Sequence, residues 1–150
     1  MNNNPTQKKW IISIALFVLG LFLFGNHIST LINPYFDETH YVPAAKQWMS
    51  FAPTMNLEHP PVGKYLIAFG MKIFGESPLG FRSMTVLFGA LTLPLFFIIA
   101  DLLFADIVLA SLVSLFSAFN FWIFVQSRIA MLDIFMITFS LIAIAAFLVF

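Results

Sequence analysis

Asp37 and Glu38 stand side by side in residues 36–64, FDETHYVPAAKQWMSFAPTMNLEHPPVGK, with His40 two residues further on. Adjacent carboxylates near an imidazole can serve as a general base, hold a hard cation, or be no more than hydrated loop charge. Glu58-His59-Pro60-Pro61 closes the stretch, and a residue before proline is kept extended, so the His59 ring is held where it could be aimed at a site. Arg82 and Arg128 each lie at the edge of an apolar run. Their planar forks suit phosphate, and the same side chains also anchor membrane interfaces by snorkelling. Lys64 and Lys72 invite the same two readings, headgroup anchoring being the simpler. Asp133 opens the last apolar run. An ionised group there costs about 2.5–3.5 kcal/mol at a span centre, so it marks a function or pairs with Arg128.

No cofactor is expected from these residues. Asp37, Glu38 and His40 are close enough in sequence to suggest a divalent metal, yet nothing in the pattern makes them converge. A phosphate-cradling glycine loop and a Gly-x-Ser-x-Gly elbow are both missing. With no cysteine there is neither a disulfide framework nor a thiolate site. Zero net charge, without basic residues interleaved among stacking aromatics, points away from nucleic acid.

The elements that must position these groups are membrane helices. The 150 residues are 61% hydrophobic and 9% charged, with a mean hydropathy of +0.96. Soluble domains carry about 25% charged residues, so the fold class is all-α integral membrane. About four transmembrane helices are expected, over residues 10–32, 81–103, 107–125 and 131–150, with a first loop at 33–80. A cleaved signal peptide is the rival reading of the first run, but no small-x-small site follows it. Pro94 is expected to kink the second span.

Short interfacial helices are expected inside the loop. Val42-Pro43 would start one over residues 44–51, stopped by Pro53, leaving residues 37–41 in the preceding turn or frayed at its tip. Pro60-Pro61 would open another reaching about Phe74, with Lys64, Ala68 and Lys72 toward headgroups and Tyr65, Leu66, Phe69 and Ile73 on the other face. Counting spans gathers Asp37, Glu38, His40, His59, Lys64, Arg82, Arg128 and Asp133 at one face of the bilayer. Lys8 and Lys9 before the first span favour an N-terminus in the cytoplasm and the loop outside, the opposite orientation being the alternative because Lys46, Lys64, Lys72, Arg82 and Arg128 lie on the loop side. The loop-side lysines and arginines then need another reason to be there, such as holding an anion. The apolar end at Phe150 leads us to expect the N-terminal part of a longer protein.

FDETHY at 36–41, HPPVGK at 59–64, GFR at 80–82 and QSRIAMLD at 126–133 occur in this order and spacing. Together they resemble the N-terminal transmembrane region of the protein O-mannosyltransferase family, membrane glycosyltransferases of the GT-C fold. The likeness covers residues 33–150. Related lipid A aminoarabinose transferases usually carry Lys-Pro-Pro where this chain has His59-Pro60-Pro61, which favours the mannosyltransferase side. Pro43, shortly after the acidic pair, departs from the pattern, and the family's later spans are not in this sequence.

The resemblance implies a polyprenyl-phosphate sugar donor, usually of mannose, a Ser or Thr hydroxyl of a protein as acceptor, and membrane lipid as the setting. It makes Asp37 the catalytic base, puts Glu38 beside it in positioning acceptor or donor, and gives the donor phosphate to Arg82. His59, Arg128, Asp133, His40 and Lys64 are then substrate-binding candidates. This agrees with elementary chemistry. A hydroxyl attacking the anomeric carbon must lose a proton, which a positioned carboxylate accepts. The departing lipid phosphate is stable as an anion and needs positive charge rather than a general acid. One base and one direct displacement imply inversion. A sibling enzyme using another sugar, or a lipid or glycan acceptor, and a non-catalytic membrane element are the alternatives.

Overall fold

A computed structural model describes residues 4–30, 32–50 and 56–150. Among the described residues the chain is all-helical, with seven helices and no strand. The helix α1 (Pro5–Gly25) starts on Asn4, whose side-chain oxygen accepts from the Thr6 N–H at 3.2 Å, with proline in the first turn. The loop that follows leads to α2 (Glu38–Met49) and α3 (Pro61–Phe74). The long helix α4 (Pro78–Phe104) comes next, then α5 (Ile107–Ala118), α6 (Phe121–Gln126) and α7 (Asp133–Val149).

The organising element is α4, which packs against α1, α3, α5 and α7. Its 27 residues would measure about 40 Å at 1.5 Å per residue. Both α4 and α1 are long and apolar enough to cross a membrane. They run antiparallel. Lys9 pairs with Asp101 at 2.7 Å at one end, and Arg82 donates to the Ile28 carbonyl at 2.7 Å at the other. Between those ends the backbones nearly touch at Gly20, where a Cβ would lie 2.8 Å from the Ala90 Cα. The Ser114 hydroxyl donates to the Leu93 carbonyl at 2.7 Å and fastens α5 to the same helix. The outer faces of α1 and α7 stay apolar, with Trp10, Ile14, Phe22, Phe139 and Phe147 exposed.

Four expectations need correction. First, the run expected over residues 10–32 is helical only to Gly25, and it begins earlier, at Pro5. His27, at a left-handed φ of 58°, turns the chain there. Second, the third apolar stretch is not one helix. Asn120 stops α5 and starts α6, its side-chain oxygen accepting from the Trp122 and Ile123 N–H groups at 3.0 and 3.2 Å.

Third, the helix expected to start at Pro43 already begins at Glu38 and carries Pro43 inside it. Its first turn is pinned independently, since the Asp37 carbonyl accepts from the Tyr41 N–H at 3.0 Å and the Glu38 side chain is locked from several directions. A single absent N–H is tolerated against those bonds. The stop expected at Pro53 lies outside the described residues. Fourth, α3 has its expected bounds but not its expected faces. Lys64 and Ala68 are buried with Ile67 and Met71, whereas Lys72 is exposed together with Tyr65, Phe69 and Ile73. Pro94 sits within α4, which continues through it.

Candidate functional site

The adjacent carboxylates part company at the start of α2. Phe36, at a left-handed φ of 55°, turns the backbone just before them. Consecutive helical residues point about 100° apart, and Glu38 goes into the core. It is 0% exposed and Arg82 is 1% exposed. Arg82 grips it with both arms of its fork, Nε to Oε1 at 2.8 Å and Nη2 to Oε2 at 2.7 Å. The Tyr35 N–H donates to Oε2 at 2.8 Å and the Ala130 N–H to Oε1 at 2.6 Å. Arg82 also donates to the carbonyls of Ile28, at 2.7 Å, and Asn33, at 3.4 Å. Each carboxylate oxygen thus accepts two bonds, which is what a buried charge requires. The pair ties together the turn after α1, the start of α2, the start of α4 and the segment before α7.

Arg128 is turned inward as well. Its Nη1 donates to the Leu23 carbonyl at 2.9 Å and its Nη2 to the Asn26 carbonyl at 2.6 Å. These are unpaired acceptors at the C-terminus of α1, where positive charge is favoured. The alternative pairing of Arg128 with Asp133 is not what the side chain does. Burial, then the nearby Arg82 charge, lowers the Arg128 pKa from its ordinary value. Both arginines line a cavity of about 190 Å³ with His27, Thr30 and Tyr35.

Asp37 is the carboxylate left over. It occupies the N-cap position of α2, yet its side chain makes no capping bond. It is half-buried, and its charge acts on Tyr41, one turn further along the same helix face. Tyr41 lines a second cavity, of about 590 Å³, with His59, Pro60, Gly63, Asp133 and Phe135 among its walls. The Tyr41 and His59 rings meet edge to face at 5.5 Å. Burial, with the Asp37 and Asp133 charges adding to it, raises the Tyr41 phenol above its ordinary value. The deeper wall is apolar, from α3 and α7. Gly63 lets those helices close in, since a Cβ there would lie 2.6 Å from a Leu132 methyl group.

Lys64, His40 and Asp37 lie outside the lining of this cavity. Lys64, 2% exposed, donates to the Asn56 backbone carbonyl and, at 2.9 Å, to the Asn56 side-chain oxygen. It thereby fastens the loop that carries His59. Burial lowers its pKa from the ordinary value, and Glu58 partly opposes this. His40 is exposed and lines neither cavity. Among the described residues no group of three or more His, Asp or Glu side chains could hold a metal ion. Sequence reasoning passed over Tyr41 and Asn56. The i, i+4 spacing of Asp37 and Tyr41 was the available signal for the first, and nothing flagged the second.

An all-helical chain with two helices long and apolar enough to cross a membrane, a buried ion pair and a cavity lined by Asp133 belongs to the class of helical membrane proteins. Residues 58–150 match the family described as dolichyl-phosphate-mannose-protein mannosyltransferase, and the chain belongs to that family. It is 35% identical over 144 residues to the polyprenol-phosphate-mannose–protein mannosyltransferase of Corynebacterium glutamicum, covering 87% of this chain and 27% of the relative. The protein of the same name from Mycolicibacterium smegmatis is 35% identical over 123 residues, 78% of this chain and 24% of that one. The one from Mycobacterium tuberculosis is 30% identical over 151 residues, 95% and 29% respectively. The chain therefore spans about a quarter of the length of the curated relatives it matches. No solved structure matches it.

Proposed function

We propose that this chain carries the acceptor-activating half of a membrane mannosyltransferase, which moves mannose from a polyprenyl-phosphate donor to a Ser or Thr hydroxyl of a protein. Asp37 is the base, taking the hydroxyl proton as the oxygen attacks the anomeric carbon and the lipid phosphate departs from the opposite face, so configuration inverts. The observation that carries this reading is the division of labour within the acidic pair. Glu38 is consumed by Arg82, whereas Asp37 heads α2 with no capping bond. The printed names of the relatives supply the donor and the acceptor class.

The leaving phosphate is assigned to the small cavity that Arg82 and Arg128 line, two residues from Asp37 at Tyr35. One carboxylate against two guanidinium groups leaves net positive charge there, suited to a developing phosphate anion. His59 and Asp133 orient sugar or acceptor hydroxyls at the rim of the large cavity. Lys64 serves through the loop it holds, and His40 stays peripheral. The topology that fits this chemistry has four crossings in a GT-C arrangement, made by α1, α4, α5 with α6, and α7. The N-terminus is cytoplasmic and the loop extracytoplasmic, with α3 lying at the interface.

The test is mannosyl transfer by the full-length protein in membranes, from polyprenyl-phosphate mannose to a Ser/Thr-containing acceptor peptide. Asp37→Asn is expected to lower the rate by about 10²–10⁴-fold while leaving the folded yield unchanged. Transfer at the parental rate would remove Asp37 from the mechanism.

A further inference from the structure

We propose that His27 and Tyr35 are the groups that hydrogen-bond the phosphate of the polyprenyl lipid, at the rim of the small cavity that Arg82 and Arg128 charge. The inference rests on that cavity taking the leaving phosphate, as proposed above. It adds two residues that lie outside both the acidic motif and the stretch 58–150 matched to the family.

The cavity holds about 190 Å³, the share of about six liquid waters, which suits a phosphate group. No carboxylate is part of its lining. Arg82 and Arg128 supply positive charge there, but their forks are engaged elsewhere. Arg82 donates through Nε and Nη2 to Glu38 and through Nη1 to the Ile28 carbonyl. Arg128 donates through Nη1 to the Leu23 carbonyl and through Nη2 to the Asn26 carbonyl. The two guanidinium groups therefore act on an anion chiefly through their charge. A phosphate seated beside them needs hydrogen-bond donors from other side chains.

His27 and Tyr35 are placed to be those donors. Both line the cavity, and both are exposed where Arg82 is buried, so they form its rim. Among the described residues neither the His27 ring nor the Tyr35 hydroxyl has a hydrogen-bond partner. Thr30, the remaining polar side chain of the lining, is already engaged, its hydroxyl donating to the His27 carbonyl at 2.8 Å. The backbone fixes where the two donors stand. His27 is held at a left-handed φ of 58°, a conformation that costs free energy in a non-glycine residue and recurs at functional sites. The Tyr35 N–H donates at 2.8 Å to Glu38 Oε2, the oxygen that Arg82 Nη2 also grips. A ring N–H from His27 and the phenol O–H of Tyr35 can each give one charge-assisted bond to a phosphate oxygen.

Tyr35→Phe deletes one hydroxyl and keeps the ring, and His27→Gly deletes the imidazole while accepting the left-handed turn. Farnesyl phosphate is titrated against the full-length protein in detergent, with farnesol and inorganic phosphate as separate arms. Each substitution is expected to weaken farnesyl phosphate binding by about tenfold, the worth of one charge-assisted hydrogen bond, and to leave farnesol binding unchanged. In mannosyl transfer the donor KM should rise by a similar factor, with the acceptor KM unmoved. A variant that binds farnesyl phosphate at parental strength removes its residue from the site, and two such variants overturn the proposal. An equal loss of farnesol binding also overturns it, because the phosphate is then not what the residue contacts. The parent should bind farnesyl phosphate more tightly than inorganic phosphate, and equal affinity overturns the lipid as the source of the anion. Arg128→Lys separates this failure from a failure of the cavity reading. If it weakens farnesyl phosphate binding and the two rim variants do not, the phosphate lies in the cavity without them. If none of the three changes binding, the cavity is not where the phosphate goes.

Discussion

Glu38 and Asp37 carry the same functional group on adjacent residues, and the molecule uses them in opposite ways. The Glu38 region is closed. Its carboxylate is out of water, each oxygen accepts two bonds, and four segments meet on it. The Asp37 region is open, with a half-buried carboxylate, a raised phenol and an apolar cavity beside it. On the proposed assignment of Asp37 as the base, the acidic pair is a joint and a tool at once: Glu38 takes the arginine and fixes the backbone, and Asp37 makes no capping bond.

The comparison breaks most visibly if the joint is cut. Arg82→Met leaves the Glu38 carboxylate buried with its principal partner gone, and removing one member of a buried pair costs about 3–5 kcal/mol. Thermal unfolding in detergent should show a large loss of stability and a poor folded yield. The double substitution Glu38→Gln with Arg82→Met should recover part of that loss, because no uncompensated charge remains. An Arg82→Met protein as stable as the parent and merely inactive would move Arg82 from the joint to the tool, as a phosphate ligand alone.

Arg128 tests the boundary between the two regions, since it caps α1 and lines the small cavity together with Arg82. Arg128→Met forfeits charge-assisted bonds to carbonyls at a helix C-terminus and should cost about 2 kcal/mol. Arg128→Lys keeps the charge but not the fork, so it should restore only part of the stability. A raised donor KM in both variants, beyond what lost folded protein explains, supports phosphate contact. A KM equal to the parent's would confine Arg128 to the scaffold.

Much of this contrast was legible in the residues, and the illegible part has identifiable causes. Apolar runs broken by proline located α1, α3 and α4, because backbone groups in lipid must be satisfied within a helix. The four short motifs lie at one end of the bundle, where Glu38, Arg82 and the backbone of Ala130 meet. The separate fates of Asp37 and Glu38 were not legible, since they depend on where a helix starts. Pro43 argued for a later start, and it is overruled by a local bond from Tyr35 and by long-range bonds from Arg82 and Ala130. The break at Asn120 was hidden inside an apolar run, its N-cap role competing with hydropathy. On α3 the spacing by four gave neither face in full, since Lys64 and Ala68 are buried with Ile67 and Met71 while Lys72 is exposed. In a membrane chain an apolar face can look outward to lipid, so Tyr65, Phe69 and Ile73 are exposed while Lys64 is not.

The buried lysine of α3 yields the smallest and most discriminating effect. The Lys64 ammonium is desolvated by burial and held by Asn56, and its pKa in the folded protein lies below the ordinary lysine value. Between the folded value and the unfolded one of about 10.4, the unfolded chain binds the extra proton. Stability contributed by this group therefore rises with pH across that window and levels off above it. In Lys64→Met the rise should vanish. The unfolding midpoint of the parent, compared with the variant's, should climb on moving from neutral pH toward about pH 10. Parallel curves would mean that Lys64 reaches water or headgroups, as the spacing by four first suggested. Falling parental stability in that window would mean a Lys64 charge favoured by the fold, with Glu58 outweighing burial. A climb limited to the parent would instead place Lys64 with Glu38 and Arg82 as a buried charge of the scaffold, one that holds the His59 loop beside the cavity that Tyr41 and Asp133 line.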